Sequence, residues 1–248
     1  MPAPPANAKL YLATSNAGKL DEVRALAAAC RAETSAKADA LATVSPFEIA
    51  ALPGISSLPL FDESWPTFAE NAAGKALHYS RSTDEIVLAD DSGLVVPALG
   101  GAPGVHSARY AGAHATDADR VAKLLDAMRG REGDARQAHF VCVMAMAQRG
   151  AVHAVVSAQA DGVLLDRPQG ADGFGYDPIF LFPPLGKTFA EISREEKNLY
   201  SHRGIAVRKV MEFLANELPP SGEPGAAQNQ RVRNSRDDRG VWYSPQPK

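Results

Sequence analysis

Two apolar stretches separated by three residues constrain this chain more than any other feature in it. AHFVCVMAMA (138–147) and AVHAVVSAQADGVLL (151–165) flank Gln148, Arg149 and Gly150. Long β-rich runs joined by so short a glycine-bearing connection read as a β-hairpin. Helical patterns stand on both sides of it. Leu20, Val23, Leu26 and Cys30 form an inner stripe over residues 19–31. Thr67 with Glu70 caps a helix running to about Ser80, and Thr116 with Asp119 caps another over 117–129. Ser193 with Glu196 opens a short helical turn, and Ser201 caps a last helix ending near Leu218. KLYLAT (9–14), IVLAD (86–90), LVVPAL (94–99) and a segment after GFGYDPIF (173–180) supply shorter strands. Residues 32–62, with Pro46, Pro53 and Pro59, read as a strand and a long loop. Helices alternating with strands around a hairpin predict an α/β fold with a mixed central sheet flanked by helices. No linker interrupts residues 8–218, so one domain with two lobes is expected. Residues 1–7 and 219–248 hold almost nothing that could form a core and are expected to be disordered.

Composition excludes some function classes. A formal net charge of −3 over 248 residues gives no reason to expect nucleic-acid binding. The longest apolar run, VCVMAMA (141–147), is too short to span a bilayer. MPAPPANAKL lacks the basic and apolar regions of a signal peptide. Cys30 and Cys142 have no metal or redox spacing and sit among apolar neighbours, so they read as small buried hydrophobes. A cytoplasmic protein is expected.

LADDSGL (88–94) places two adjacent carboxylates where a buried strand reads as running out. Neighbours on a strand point to opposite faces, so Asp90 and Asp91 cannot serve one site equally. A strand-terminal D-D-S-G is where catalytic groups collect in α/β sheets, and it is also a good Asx-turn. TSNAGK (14–19), at a strand-to-helix junction, suits an anion such as phosphate, or is a capped helix with a surface lysine. It is not a Walker A loop. Glu63, Glu70, Asp90 and Asp91 are the acids to weigh for Mg²⁺, which takes one or two carboxylates plus water and phosphate oxygens. GFGYDP (173–178) is a loop able to stack a base, or a tight turn with core aromatics. REEKNLYSHRG (194–204) puts Lys197, His202 and Arg203 at two helix starts, where cations imply an external anion or acceptor, or a solvated basic face. His106, His114 and His153 show no clustered spacing and read as structural, and Met144 and Met146 as core.

Taken in order, TSNAGK, FAENAAGKA (68–76), LADDSGLVVPALGGAPGVHSARYAG (88–112), GFGYDPIF and KTFAEISREEKNLYSHRG (187–204) resemble the inosine/xanthosine triphosphate pyrophosphatase family, also called Ham1-like. Five ordered motifs over roughly residues 8–218 carry the resemblance. It implies a mixed α/β fold with a cleft between two lobes, usually a homodimer, and Mg²⁺-dependent hydrolysis of ITP, dITP and XTP to the monophosphate and pyrophosphate. By the same resemblance Thr14, Ser15, Asn16, Ala17, Gly18 and Lys19 bind the triphosphate. Asp91 is the general base and a metal ligand, Glu63 is the further metal position, and Lys75 is a catalytic lysine near the phosphates. Ser92 touches substrate, while Phe174, Gly175, Tyr176, Asp177, Lys197, His202 and Arg203 hold the nucleotide.

In that frame Asp91 faces the reaction and Asp90, on the opposite face, accepts hydrogen bonds and fixes the turn. Donors from His202 or Arg203 would be satisfied by a purine O6 and left unpaired by adenine. A Maf-type nucleotide pyrophosphatase, or a nucleotide-binding module without turnover, are the alternatives.

Overall fold

The computed structural model describes residues 9–37 and 47–217. Residues 1–7 and 219–248, expected to be disordered, lie outside the described residues, as does Pro46 in the segment read as strand and loop. Short apolar runs set the sheet: β1 (Lys9–Leu12), β2 (Glu48–Ala51), β3 (Ile86–Val95), β4 (Gln137–Gln148), β5 (Ala151–Leu164), β6 (Phe180–Phe182) and β7 (Lys187–Thr188). They pair in the order β2-β1-β3-β4-β5-β6-β7. β1 runs parallel to β2 and β3, and every later pairing is antiparallel, so the sheet is mixed as expected. The hairpin between β4 and β5 turns on Arg149 and Gly150, both at positive φ (50° and 76°). That is the left-handed pair a two-residue turn between twisted strands requires.

Among the described residues five helices flank the sheet: α1 (Ala17–Lys37), α2 (Phe68–Tyr79), α3 (Asp117–Ala127), α4 (Arg194–Tyr200) and α5 (His202–Glu217). Strand alternation then sorts the core. Leu88, Cys142, Met144 and Met146 pack with Val23 and Leu26 of α1 and Val207 and Val210 of α5. Val87, Ala89, Val143 and Ala145 turn to the other face and meet Ala72, Ala76 and Tyr79 of α2. Farther along β3 and β4, Leu94 and Phe140 join Leu124 of α3 with Phe180 and Phe189 in a third cluster. Leu88 and Leu94 share a face of β3, and between them on that face come Asp90 and Ser92. A polar gap between two apolar clusters is thus built into one strand.

One sequence expectation changes here. Segments 86–90 and 94–99 are not separate strands around a DSG turn. β3 runs unbroken to Val95, with Asp90, Asp91, Ser92 and Gly93 paired to Met144, Val143, Cys142 and Val141. The glycine that looks like a turn residue serves close approach instead. A Cβ on Gly93 would lie 2.4 Å from Ser107 Oγ and 2.5 Å from the Gly104 carbonyl oxygen. Pro97 follows the strand end and opens a short 3₁₀ turn, Pro97–Leu99.

Candidate active site

The two aspartates face opposite sides of β3 and meet different chemistry. Asp90, 2% exposed, receives Lys19 Nζ at 3.1 and 3.3 Å on its two oxygens, with Arg203 Nη2 3.6 Å away. Burial alone would raise its pKa, but Lys19, Arg203 and Lys75 outweigh burial and hold the carboxyl well below the usual range. Lys19 is set by the turn before α1: Asn16 donates its N–H to Thr14 Oγ1, and Asn16 Oδ1 accepts from the Lys19 N–H, both at 3.1 Å. Asn16 therefore caps α1, and TSNAGK is a capped helix whose lysine reaches an internal carboxylate. Asp90 braces the strand, not a turn.

Across the strand, Asp91 Oδ2 accepts from Asn71 Nδ2 at 3.0 Å. Its pKa is raised to about 6, chiefly by burial and further by the negative charges of Glu63 and Asp90, with the Asn71 hydrogen bond partly offsetting them. Lys75 Nζ stands 2.5 Å from Glu63 Oε1 and 3.5 Å from the Asp90 carbonyl oxygen. Burial disfavours its charge, but Asp90 and Glu63 more than compensate, so its pKa is raised and it stays protonated. Glu63 lies on the loop before α2, and Arg109 Nη2 donates to its carbonyl at 2.8 Å. Glu70 is instead engaged by the helix cap: the Thr67 hydroxyl donates to it at 2.6 Å. Of the two glutamates, Glu63 is the one beside Lys75. Among the described residues no group of three or more His, Cys, Asp or Glu side chains converges as a metal site. A pair of mutually repelling carboxylates still fits Mg²⁺, which uses one or two protein carboxylates and completes its shell with water and phosphate oxygens.

On the Asp90 side the gap is walled by α5 and the GFGYDP loop. Phe174 is 51% exposed, with Lys197 Nζ 4.6 Å and Arg203 Cζ 5.7 Å from its ring centroid. Asp177 is buried and organises the loop from within, accepting the Phe174 N–H at 2.8 Å and a short contact from Lys197 Nζ. Gly173, at φ 77°, is required there, since a Cβ would lie 2.3 Å from Asp177 Oδ2. Asp117 accepts the Gly175 N–H at 2.7 Å, and Tyr176 donates to the Ser107 carbonyl at 2.9 Å. His202 stacks on Phe140 with centroids 4.8 Å apart, and burial holds its pKa well below the ordinary value, so the ring is neutral. Arg203 donates to Glu22 Oε2 at 2.9 Å and to Ser92 Oγ at 3.0 Å. Two buried polar atoms lack a partner here, His202 Nδ1 and Arg203 Nε.

Several residues read as substrate contacts are thus in internal pairs. Lys197 belongs to the body of α4 and is neutralised by Asp177, so its position does not call for an external anion. The fork of Arg203 is engaged by Glu22 and Ser92, leaving only Nε unpaired. His106, His114 and His153 are exposed, and Met144 and Met146 are core, as expected of the methionines. Sequence reasoning missed Asn71, Glu22, Asp117 and Arg109. The signals for two of them were spacings: Asn71 lies one helical turn before Lys75, and Glu22 three residues after Lys19. Arg109 and Asp117 carry no local signal.

Comparison with known proteins gives the family. The Ham1 family model matches residues 10–213. The dITP/XTP pyrophosphatase of Geobacillus kaustophilus is 45% identical over 204 residues, covering 82% of this chain and 93% of that protein. The dITP/XTP pyrophosphatase of Shigella flexneri is 41% identical over 210 residues, 84% and 98% of the two chains. Among solved structures, a HAM1 protein from Coxiella burnetii superposes with a TM-score of 0.69 at 36% identity, over 84% of this chain and 98% of its own. With its mixed sheet and a family match over residues 10–213, this chain belongs to the Ham1 family.

Proposed function

We propose that the protein hydrolyses dITP, ITP and XTP to the monophosphate and pyrophosphate, in a Mg²⁺-dependent reaction centred on Asp91. The family and its dITP/XTP pyrophosphatase relatives support the substrate class. The observation that carries the mechanism is the environment of Asp91, the carboxyl on the α2 face whose pKa is raised to about 6 beside Glu63 and Lys75. A base poised near neutral pH takes a proton from water efficiently. In the reaction, a water oxygen bonds to the α-phosphorus, the α–β bridging bond breaks, and pyrophosphate leaves with its bonding electrons. Asp91 receives the water's proton.

Asp91 and Glu63 would hold Mg²⁺, which when bound supplies charge neutralisation on the phosphates. Lys75 and Lys19 add fixed positive charge on the two sides of β3, and such preorganised charge is the main source of phosphoryl-transfer catalysis. Phe174 offers its exposed face to the purine, with Lys197 and Asp177 fixing the loop behind it. His202 Nδ1, buried and unpaired, is the group on which, with the ring proton on Nδ1, an O6 acceptor would be satisfied and an adenine amino group would not. Thr14, Ser15, Asn16, Ala17 and Gly18 shape the turn on the triphosphate side through the Asn16 cap.

A soluble cytoplasmic homodimer is part of the same reading and rests on the family. Among the described residues no helix is long and apolar enough to cross a membrane. The test is pyrophosphate release from dITP, XTP, dGTP and dATP, with and without EDTA. Turnover of dITP and XTP that EDTA abolishes is expected. Equal rates on all four nucleotides, or rates indifferent to EDTA, would refute it.

A further inference from the structure

Asn71 is fully buried on α2 and makes three side-chain hydrogen bonds that tie together parts of the site far apart in sequence. Its Oδ1 accepts the Trp65 N–H at 3.1 Å, its Nδ2 donates to the Trp65 carbonyl at 3.1 Å, and the same Nδ2 donates to Asp91 Oδ2 at 3.0 Å. The amide has one acceptor and two donors, and all are engaged. Its orientation is thereby fixed, since a flipped amide would set Oδ1 against both the Trp65 carbonyl and the Asp91 carboxylate.

Two consequences follow from the geometry. Asp91 Oδ2 is held by a neutral donor, so Oδ1 is the oxygen left for chemistry. Trp65 lies two residues beyond Glu63, so the amide that orients Asp91 also pins the backbone carrying Glu63. Arg109 also holds that backbone, at the Glu63 carbonyl. We propose that Asn71 is a positioning residue that sets the Asp91 carboxylate and the Glu63 loop in one register. The inference rests on the assignment of Asp91 and Glu63 made above, and its role is distinct from theirs, because Asn71 itself touches neither substrate nor metal.

A purely structural role would resemble that of Tyr79, whose hydroxyl accepts the Phe61 N–H at 3.3 Å and so straps the same loop farther from the carboxylates. The experiment compares Asn71→Ala, Asn71→Asp and Tyr79→Phe. Asn71→Asp keeps the acceptor for the Trp65 N–H and loses the donor to Asp91, so it serves if the alanine variant fails to fold. Expected for either folded Asn71 variant is a loss of roughly ten- to hundredfold in kcat for dITP, the scale of a hydrogen bond to a charged group. KM should stay within about threefold, because the base loop and Lys19 are untouched. Tyr79→Phe should lower Tm with kcat unchanged. A second readout needs neither metal nor turnover. In a Trp242→Phe background Trp65 is the remaining tryptophan, and its emission in metal-free protein should become more accessible to acrylamide in Asn71→Ala. Folded Asn71 variants with kcat within threefold of wild type would overturn the proposal, as would unchanged Trp65 quenching in Asn71→Ala or, should that variant fail to fold, in Asn71→Asp. If wild-type protein does not hydrolyse dITP at all, the functional reading fails, and the quenching result still decides whether Asn71 fixes the loop.

Discussion

The two faces of β3 carry the same residue type at adjacent positions and put it to opposite uses. Asp90 is surrounded by cations and pushed strongly acidic; Asp91 is met by a neutral amide and a nearby carboxylate and pushed toward neutrality. Desolvation is the largest influence on both, so the difference lies in the neighbours. Helices α1 and α5 supply Lys19 and Arg203 on one face, while α2 and its preceding loop supply Asn71 and Glu63 on the other. A buried charge that is paired braces a structure, and one left short of partners is available for proton transfer.

The largest effect that tests this contrast is Asp91→Asn. Removing the proposed general base should cut kcat on dITP by about three orders of magnitude. Stability should move the other way. Because the folded pKa of Asp91 is raised, the folded state binds a proton more tightly than the unfolded chain. Its favourable contribution is present below the ordinary value of 3.8 and lost as pH rises through about 6. At pH 7 the ionised carboxyl therefore costs stability, and Asn should recover about 3 kcal/mol. A variant that stays active, or that melts lower at pH 7, would dissolve the distinction between the faces.

Asp90→Asn comes next in size. Breaking the buried cluster strands Lys19 and Arg203, at about 3 kcal/mol, and should lower Tm in thermal melts with a smaller catalytic loss than at Asp91. The pH dependence then separates the two variants by sign. Asp90 has a depressed pKa, so its stabilisation is complete above 3.8 and is lost as pH falls toward the folded value. The Tm deficit of Asp90→Asn should shrink only as pH falls below about 3.8, and the Tm gain of Asp91→Asn should shrink between pH 7 and 4. Parallel profiles for the two would show that one electrostatic cluster, not two, spans the strand.

How much of this was legible beforehand follows from range. The alternation of a strand separated Asp90 from Asp91 at once, and local caps at Thr67, Thr116, Ser193 and Ser201 marked their helices, because these signals need only neighbouring residues. Gly93 misled for the same reason: locally it is a turn residue, and only its pairing with Val141 of β4 and the close approach of Gly104 and Ser107 show why a glycine stands inside a strand. The pairing of Arg203 with Glu22, 181 positions apart, and of Asp117 with Gly175, 58 apart, leaves no trace in local pattern. The family motifs marked out the GFGYDP loop, but they did not reveal that Lys197 and Asp177 pair with each other.

The smallest effect concerns base choice, and it divides along the same line. Arg203 belongs to the Asp90 brace through Ser92 and Glu22, with only its Nε unpaired. His202 is neutral, stacked on Phe140, and offers an unpaired Nδ1. Arg203→Gln should therefore act like a weaker Asp90→Asn, lowering Tm and reducing kcat/KM for dITP and dATP together. His202→Leu keeps apolar bulk against Phe140 and removes only the polar edge, so it should reduce kcat/KM for dITP and spare dATP, which never satisfied that group. A neutral hydrogen bond of this kind contributes about 0.5–1.5 kcal/mol, roughly three- to tenfold in the dITP/dATP ratio. Steady-state kinetics on both nucleotides for both variants makes the assignment. If the ratio falls in Arg203→Gln and holds in His202→Leu, then Arg203 leaves its internal partners when nucleotide binds, and the brace on the Asp90 face is also the reader of the base.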